Sequence, residues 1–364
     1  MVPQNLLYSK KKFHKILNAI NQKYLNRRFE SGAALIFLVF LLVMVGITYI
    51  VSTLNSANIK MQKEEISGQA LISAKESLIG WSVGNPGTPG IMPCPDTNND
   101  GLSDTCSTYI GRFPWKTVNS NSFRDGAGEC LWYAISPIFS STTNPINSNT
   151  AGSISIINSN GTIIASGVIA VIIAPQEALS SQDRTVAGNN TCQGNITASN
   201  YLDTEKVGSN TYDNATGNFN ITNNTMTFIV SPPSPGFNDK LLYITQEDLY
   251  KPLRKRIVRE MMGNIRTNTG LYKYFLGAGN YPCPALTLGG LPDCALSTGY
   301  FPYVTMSADF NPALGTWLLQ NKWFDNSLTT YTFDKTTKLS ASVTVGGGAG
   351  NSVCNTSSNN VNCQ

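Results

Sequence analysis

Histidine is all but missing from this sequence: of 364 residues the only one is His14. Beyond that position, Ser-His-Asp and Cys-His catalysis and the usual histidine-bearing catalytic zinc sites are excluded. No Cys-x-x-Cys pair occurs, so the eight cysteines (Cys94, Cys106, Cys130, Cys192, Cys283, Cys294, Cys354 and Cys363) do not read as a zinc cluster. Their even number, all beyond a long apolar run, predicts disulfides. Charge is scarce at 13% of residues, and Asn, Ser, Thr and Gly dominate outside the helical stretches. Proline is absent between Pro3 and Pro86, so nothing in that stretch breaks a helix. Charge is also absent from all nineteen residues of Ala33–Val51.

That uncharged run is the most informative feature present. As a helix rising roughly 1.5 Å per residue it is long enough to cross a hydrocarbon core of about 30 Å. Seven bases (Lys10, Lys11, Lys12, Lys15, Lys23, Arg27 and Arg28) and one acid, Glu30, precede it. This leaves 19 bases against 21 acids beyond, a net charge of about −2, so the whole-chain value of +4 says nothing of nucleic acid. The basic cluster predicts a cytoplasmic N-terminus and an exported remainder. An ordinary secretory signal has its small-residue cleavage site after the apolar core. Here the small pair Ser31-Gly32 stands before it.

A basic leader, Gly32, an Ala34-Leu35-Ile36 start and an unbroken helix resemble the class III signal of type IV pilins and type II secretion pseudopilins. The resemblance implies cleavage by a prepilin peptidase between Gly32 and Ala33 and N-methylation of Ala33. It also implies assembly with other pilins or pseudopilins through the N-terminal helix, which sits in a membrane beforehand. The sequence departs from the family at Ala33, where phenylalanine is usual, and at Phe37, where most members carry a glutamate that pairs with a neighbouring subunit's terminal amine. A subunit without that glutamate resembles the minor tip component. A plain bitopic anchor is the alternative.

An internal repeat organises the rest. Residues 93–115 read PCPDTNNDGLSDTCSTYIGRFPW and residues 282–303 read PCPALTLGGLPDCALSTGYFPY. Each copy follows a helical stretch, the first with Ile66, Leu71, Leu78 and Ile79 on its apolar side. The second helix opens on a Thr245/Asp248 capping box, and Leu249, Leu253, Ile257, Met261 and Ile265 form a stripe at intervals of four. Pro252 is expected to kink it. Apolar strands follow at Gly167–Ala174 and Lys338–Val345. The expected fold is α+β: a long N-terminal transmembrane helix followed by two tandem pilin-like modules, each a helix on an antiparallel sheet. The expected boundaries are a leader 1–32, a stem helix 33–82, a first headgroup 83–230 with an Asn/Thr-rich surface insertion near 187–224, a linker 231–244 and a second module 245–364.

Within the first copy, Asp96, Asn98, Asp100 and Asp104, with the Leu102 carbonyl, alternate oxygen donors around Gly101 as a hard cation requires. The loop resembles the calcium loops of thrombospondin type 3 and dockerin repeats, which implies Ca2+. An Asx-rich turn held by Cys94 and Cys106 is the alternative. The second copy has one carboxylate here, Asp293, and is expected to bind no metal. Matching repeat positions pair Cys94 with Cys106 and Cys283 with Cys294. Cys354–Cys363 would close a C-terminal loop, and Cys130–Cys192 remains. Asp125, Glu129 and Asp183, near Arg112, Arg124 and Arg184, show no catalytic spacing and read as structural ion pairs. The aromatics Phe113, Trp115, Phe301 and Tyr303 read as core rather than a sugar platform.

The function expected from the resemblance is a minor pilin or pseudopilin, not an enzyme, serving as tip or initiation subunit of a type IV pilus or type II secretion fibre. It is expected to be a single-pass inner-membrane protein with its C-terminal part outside the cytoplasm, on a cell-surface fibre after assembly. A non-polymerising periplasmic adhesin or binding module is the alternative.

Overall fold

With no proline to interrupt it, the N-terminal stretch forms one helix, α1 (Asn5–Gly84). The computed structural model describes residues 5–140, 145–185, 192, 194–264, 266–346, 351–357 and 360–363, with the helical backbone alone for 5–34 and 50–56. The chain divides into two units, Met1–Gln62 and Lys63–Gln364. In the first, the described side chains from Leu35 to Tyr49 are all exposed. Gly32 and Ala33, the expected cleavage and methylation pair, are described only as helical backbone, and Ile265 of the expected apolar stripe lies outside the described residues.

Among the described residues no helix is long and apolar enough to cross a membrane. This corrects the expected transmembrane stem. It also corrects the expected single-pass inner-membrane placement. The described apolar side chains of α1 cover residues 35–49, short of the roughly 20 that a span requires. Charged Lys60, Lys63, Glu64 and Glu65 follow.

The second unit begins with the last part of α1, where Ala70, Leu71, Ala74 and Leu78 are buried at helical spacing. Ile79 is partly buried against the same core, whereas Ile66 faces outward at 45% exposure. Strands β1 (Ile110–Arg112), β2 (Trp132–Ile135), β3 (Ile154–Asn158), β4 (Ile163–Val168), β5 (Ala170–Ala174), β6 (Thr204–Val207), β7 (Asn210–Asp213), β8 (Met226–Val230) and β9 (Lys240–Ile244) follow. Then come α2 (Gln246–Met262), α3 (Gly270–Ala278), β10 (Thr298–Gly299), α4 (Pro312–Gln320), β11 (Thr329–Phe333), β12 (Ser340–Val345), β13 (Ser352–Ser357) and β14 (Asn360–Cys363).

These strands form a four-stranded sheet ordered β1-β2-β5-β9, a five-stranded sheet from β10 to β14 in sequence order, a three-stranded sheet β4-β3-β8 and a β6-β7 hairpin. The expected continuous strand Gly167–Ala174 is divided: β4 ends in one sheet and β5 lies in another. All five residues of β5 are buried. Ala170, Ile172 and Ala174 on one face belong to the core that takes Leu78 and Ile257, and Val171 and Ile173 on the other belong to that of Ile154, Ile156, Met226 and Phe228. Burial on both faces is why this strand is an unbroken apolar run instead of an alternating one.

The expected pair of tandem helix-plus-sheet modules is corrected as well. Lys63–Gln364 is one compact unit, and one apolar core takes Leu78, Tyr133 and Ile172 together with Leu253, Ile257, Tyr331 and Val343. Polar bonds join the two halves. Asn321 Oδ1 accepts from the Ile146 N–H at 2.6 Å, and the Trp317 and Trp323 indoles donate to the carbonyls of Pro89 and Ile146. Residues 240–244, inside the expected linker, are strand β9 of the first sheet, and Thr245 caps α2 directly after it. The capping box is present, α2 runs through Pro252, and Leu249, Leu253, Ile257 and Met261 are buried. The sheets are also not all antiparallel, since β3 pairs with β8 in parallel.

Candidate functional site

The two repeat copies build the same frame from the same residues. Four disulfides are formed: Cys94–Cys106, Cys130–Cys192, Cys283–Cys294 and Cys354–Cys363. In copy one Asp96 and Arg112 exchange backbone hydrogen bonds of 3.0 and 2.7 Å, and in copy two Ala285 and Tyr300 do so at 2.9 and 3.1 Å. Gly111 and Gly299 lie in the short strands β1 and β10, opposite Tyr133 and Tyr331. A Cβ on Gly111 would stand 2.7 Å from the Asp96 carbonyl oxygen, and one on Gly299 would stand 2.9 Å from that of Ala285. The phenols of Tyr133 and Tyr331 donate to the carbonyls of Pro93 and Pro282 at 3.1 and 2.9 Å. Burial pushes both phenols above their ordinary pKa, so both remain protonated donors.

On this frame copy one carries a polar loop. The Asp96 side chain is buried, and its carboxylate accepts N–H bonds from Asn98, Asn99 and Gly101 at 3.1, 2.6 and 2.7 Å. Burial raises its pKa, while the Gly101, Asn99 and Asn98 donors pull the other way. Asn98 Oδ1 accepts from the Asp100 N–H, and Asp100 Oδ1 from the Leu102 N–H. Asp104 Oδ2 accepts from the Thr97 N–H and hydroxyl, and Asp104 Oδ1 accepts from Asn98 Nδ2. Asn99, at φ +65°, reaches across to the Cys192 carbonyl at 2.7 Å. Gly101 turns at φ +85°, where a Cβ would stand 2.5 Å from the Trp115 indole nitrogen.

The residues predicted from sequence to hold a cation, Asp96, Asn98, Asp100, Leu102 and Asp104, thus share one turn. Each carboxylate already has an internal donor, and as arranged they do not converge. Among the described residues no group of three or more His, Cys, Asp or Glu is placed to hold a metal ion.

Of the expected ion pairs, Arg184 and Glu129 meet at 3.4 Å. Asp125 instead accepts from the N–H groups of Ala127, Glu129 and Gln176, and Asp183 from that of Thr185. Phe113, Phe301 and Tyr303 are buried in the shared core, with Trp115 packed against it.

Sequence reasoning missed the surroundings of Arg112. Its side chain is 1% exposed, and the guanidinium carbon lies 4.4 Å from the Trp132 ring centre and 4.0 Å from that of Tyr201. It donates to the carbonyls of Cys130 and Asn195 at 3.1 and 3.2 Å. The only sequence trace of this is that Arg112 replaces the aromatic Tyr300 of copy two. The expected surface insertion supplies Tyr201, which is fully buried. Also missed were Asp203 and Asp239, two buried carboxylates that each accept the other's backbone N–H. Burial raises the pKa of both.

Comparison with known proteins finds no matching family model, no matching curated protein and no matching solved structure.

Proposed function

We propose that the chain is a structural, non-catalytic subunit of a type IV pilus or type II secretion fibre, set at its tip or in its initiating complex. The observation that supports this most is the apolar run on α1. Residues 35–49 are exposed around the whole helix, with Leu35 at 67%, Phe37 at 64% and Tyr49 at 69%. A helix apolar on every side needs a cover, and like helices from neighbouring subunits would provide one. Phe37, at the fifth position after Gly32, offers no carboxylate to a subunit ahead, which suits an end position. Processing by a prepilin peptidase between Gly32 and Ala33, and methylation of Ala33, belong to the same proposal. So does a Ca2+ ion at the copy-one loop, which would draw Asp100 and Asp104 away from their present partners.

Mass spectrometry of the N-terminus, from cells that process other prepilins, tests the proposal. A chain beginning at N-methylated Ala33 is expected, and Gly32→Trp should block cleavage. A chain still beginning at Met1 overturns the fibre reading and leaves the non-polymerising binding module. Immunogold label at one fibre end is expected, and label spread along the shaft would remove the tip assignment.

A further inference from the structure

A cavity of about 220 Å3 opens beside the copy-one loop, with Arg112 and Trp132 in its wall and Asp96, Thr108, Ile196 and Ala198 around it. Two features mark it as more than a packing gap. Among the described residues Arg112 forms no ion pair, and its Nε has no hydrogen-bond partner. The indole Nε1 of Trp132, also 1% exposed, has none either. Burying a guanidinium is costly, and the nearby Glu129 charge and the rings stacked on it offset only part of that cost. The repeat frame does not require the charge, because copy two puts Tyr300 at the same position and keeps its backbone bonds.

We propose that this cavity binds a carboxylated monosaccharide, its carboxylate taken by Arg112 and its ring laid against Ile196 and Ala198. Three arguments select the ligand. The two unpartnered groups are N–H donors and one is cationic, so the ligand brings an anionic acceptor. The volume lies below the roughly 300 Å3 at which pockets for larger ligands begin, which limits the occupant to about one ring. The wall combines apolar Trp132, Ile196 and Ala198 with the Thr108 hydroxyl. The Asp96 carboxylate has one oxygen with a single donor, able to accept a ligand hydroxyl. A sugar acid has all these complements: a carboxylate, hydroxyls and an apolar C–H face. The site is independent of fibre assembly.

Isothermal titration calorimetry of the full-length chain tests this with D-glucuronate, D-glucose and sulfate as probes. Glucuronate is expected to bind roughly tenfold or more tightly than glucose, the value of one charge-assisted hydrogen bond. Sulfate, without ring or hydroxyls, should bind more weakly than glucuronate. Arg112→Lys keeps the charge but loses the planar fork, and should weaken glucuronate about tenfold. Thr108→Trp, at an exposed rim position, should abolish binding with the melting temperature unchanged, which separates blockage from misfolding. Equal binding of glucose and glucuronate, equal binding of sulfate, an undisturbed Thr108→Trp variant, or no binding of glucuronate at all would each overturn the proposal.

Discussion

The two copies of the Pro-Cys-Pro repeat share a frame and differ in what stands on it. In both, a disulfide, a glycine under a backbone carbonyl and a buried tyrosine holding the first proline's carbonyl set the path of the chain. Asp96 and Ala285 occupy the same bridge position and are equally buried at 1% exposure. Yet copy one fills its loop with carboxylates and amides and backs it with Arg112, whereas copy two puts Tyr300 there and packs Phe301 at 5.1 Å and 10° against Phe324. The frame therefore needs none of the polar chemistry. What copy one adds beyond copy two is where recognition is to be sought.

The glycines provide the hardest test of the shared frame. A side chain at Gly111 or Gly299 would collide with backbone and not with a movable side-chain end. Gly111→Val and Gly299→Val should each cost roughly 2–3 kcal/mol. Because both copies belong to one compact unit, each variant should shift a single urea transition of Lys63–Gln364 without splitting it. Two separated transitions, or a large loss in one copy only, would break the equivalence.

The tyrosines sharpen it at lower cost. Tyr133→Phe and Tyr331→Phe each leave a buried proline carbonyl without its donor, worth about 1–2 kcal/mol in denaturant unfolding. The two sites share no partner, so the double variant should lose the sum within a few tenths of a kcal/mol. Strong non-additivity would mean that the copies are coupled through the shared core and not merely similar.

The frame was legible because it is written in residues with few conformational options. Cysteine, proline, glycine and a terminal aromatic at matching spacing led to the disulfides, and the Thr245/Asp248 box to the start of α2. Residues whose roles depend on distant partners were not legible. β5 reads as an ordinary apolar strand, and nothing local says that Ile154, Met226 and Phe228 cover its second face. Lys240–Ile244 follows a proline-rich stretch and reads as a connection, because its pairing partner is about 70 residues earlier in the chain. The apolar run Ala33–Val51 matches a spanning helix in length as a string, but its described part does not. Arg112 resembles any surface arginine until Trp132 and Tyr201 close around it.

Calcium makes the finest distinction between the copies and the smallest expected effect. Copy one offers three carboxylates and an amide in one turn, and copy two offers only Asp293. Binding has to replace existing bonds, notably those from Thr97 to Asp104 and from Asn98 to Asp104, so the affinity should be modest. At about ten times the dissociation constant, a ligand held only by the folded state adds about 1.4 kcal/mol. Millimolar calcium should therefore raise the melting temperature of the wild type by a few degrees, and chelator should reverse it. Asp100→Ala should remove the rise while sparing the Asp96 bonds that shape the turn. Asp293→Ala in copy two should leave the calcium response intact. If chelator does not move the wild-type transition, the loop is held by its own hydrogen bonds and the Cys94–Cys106 disulfide without a metal, and the copies differ in polarity but not in metal binding.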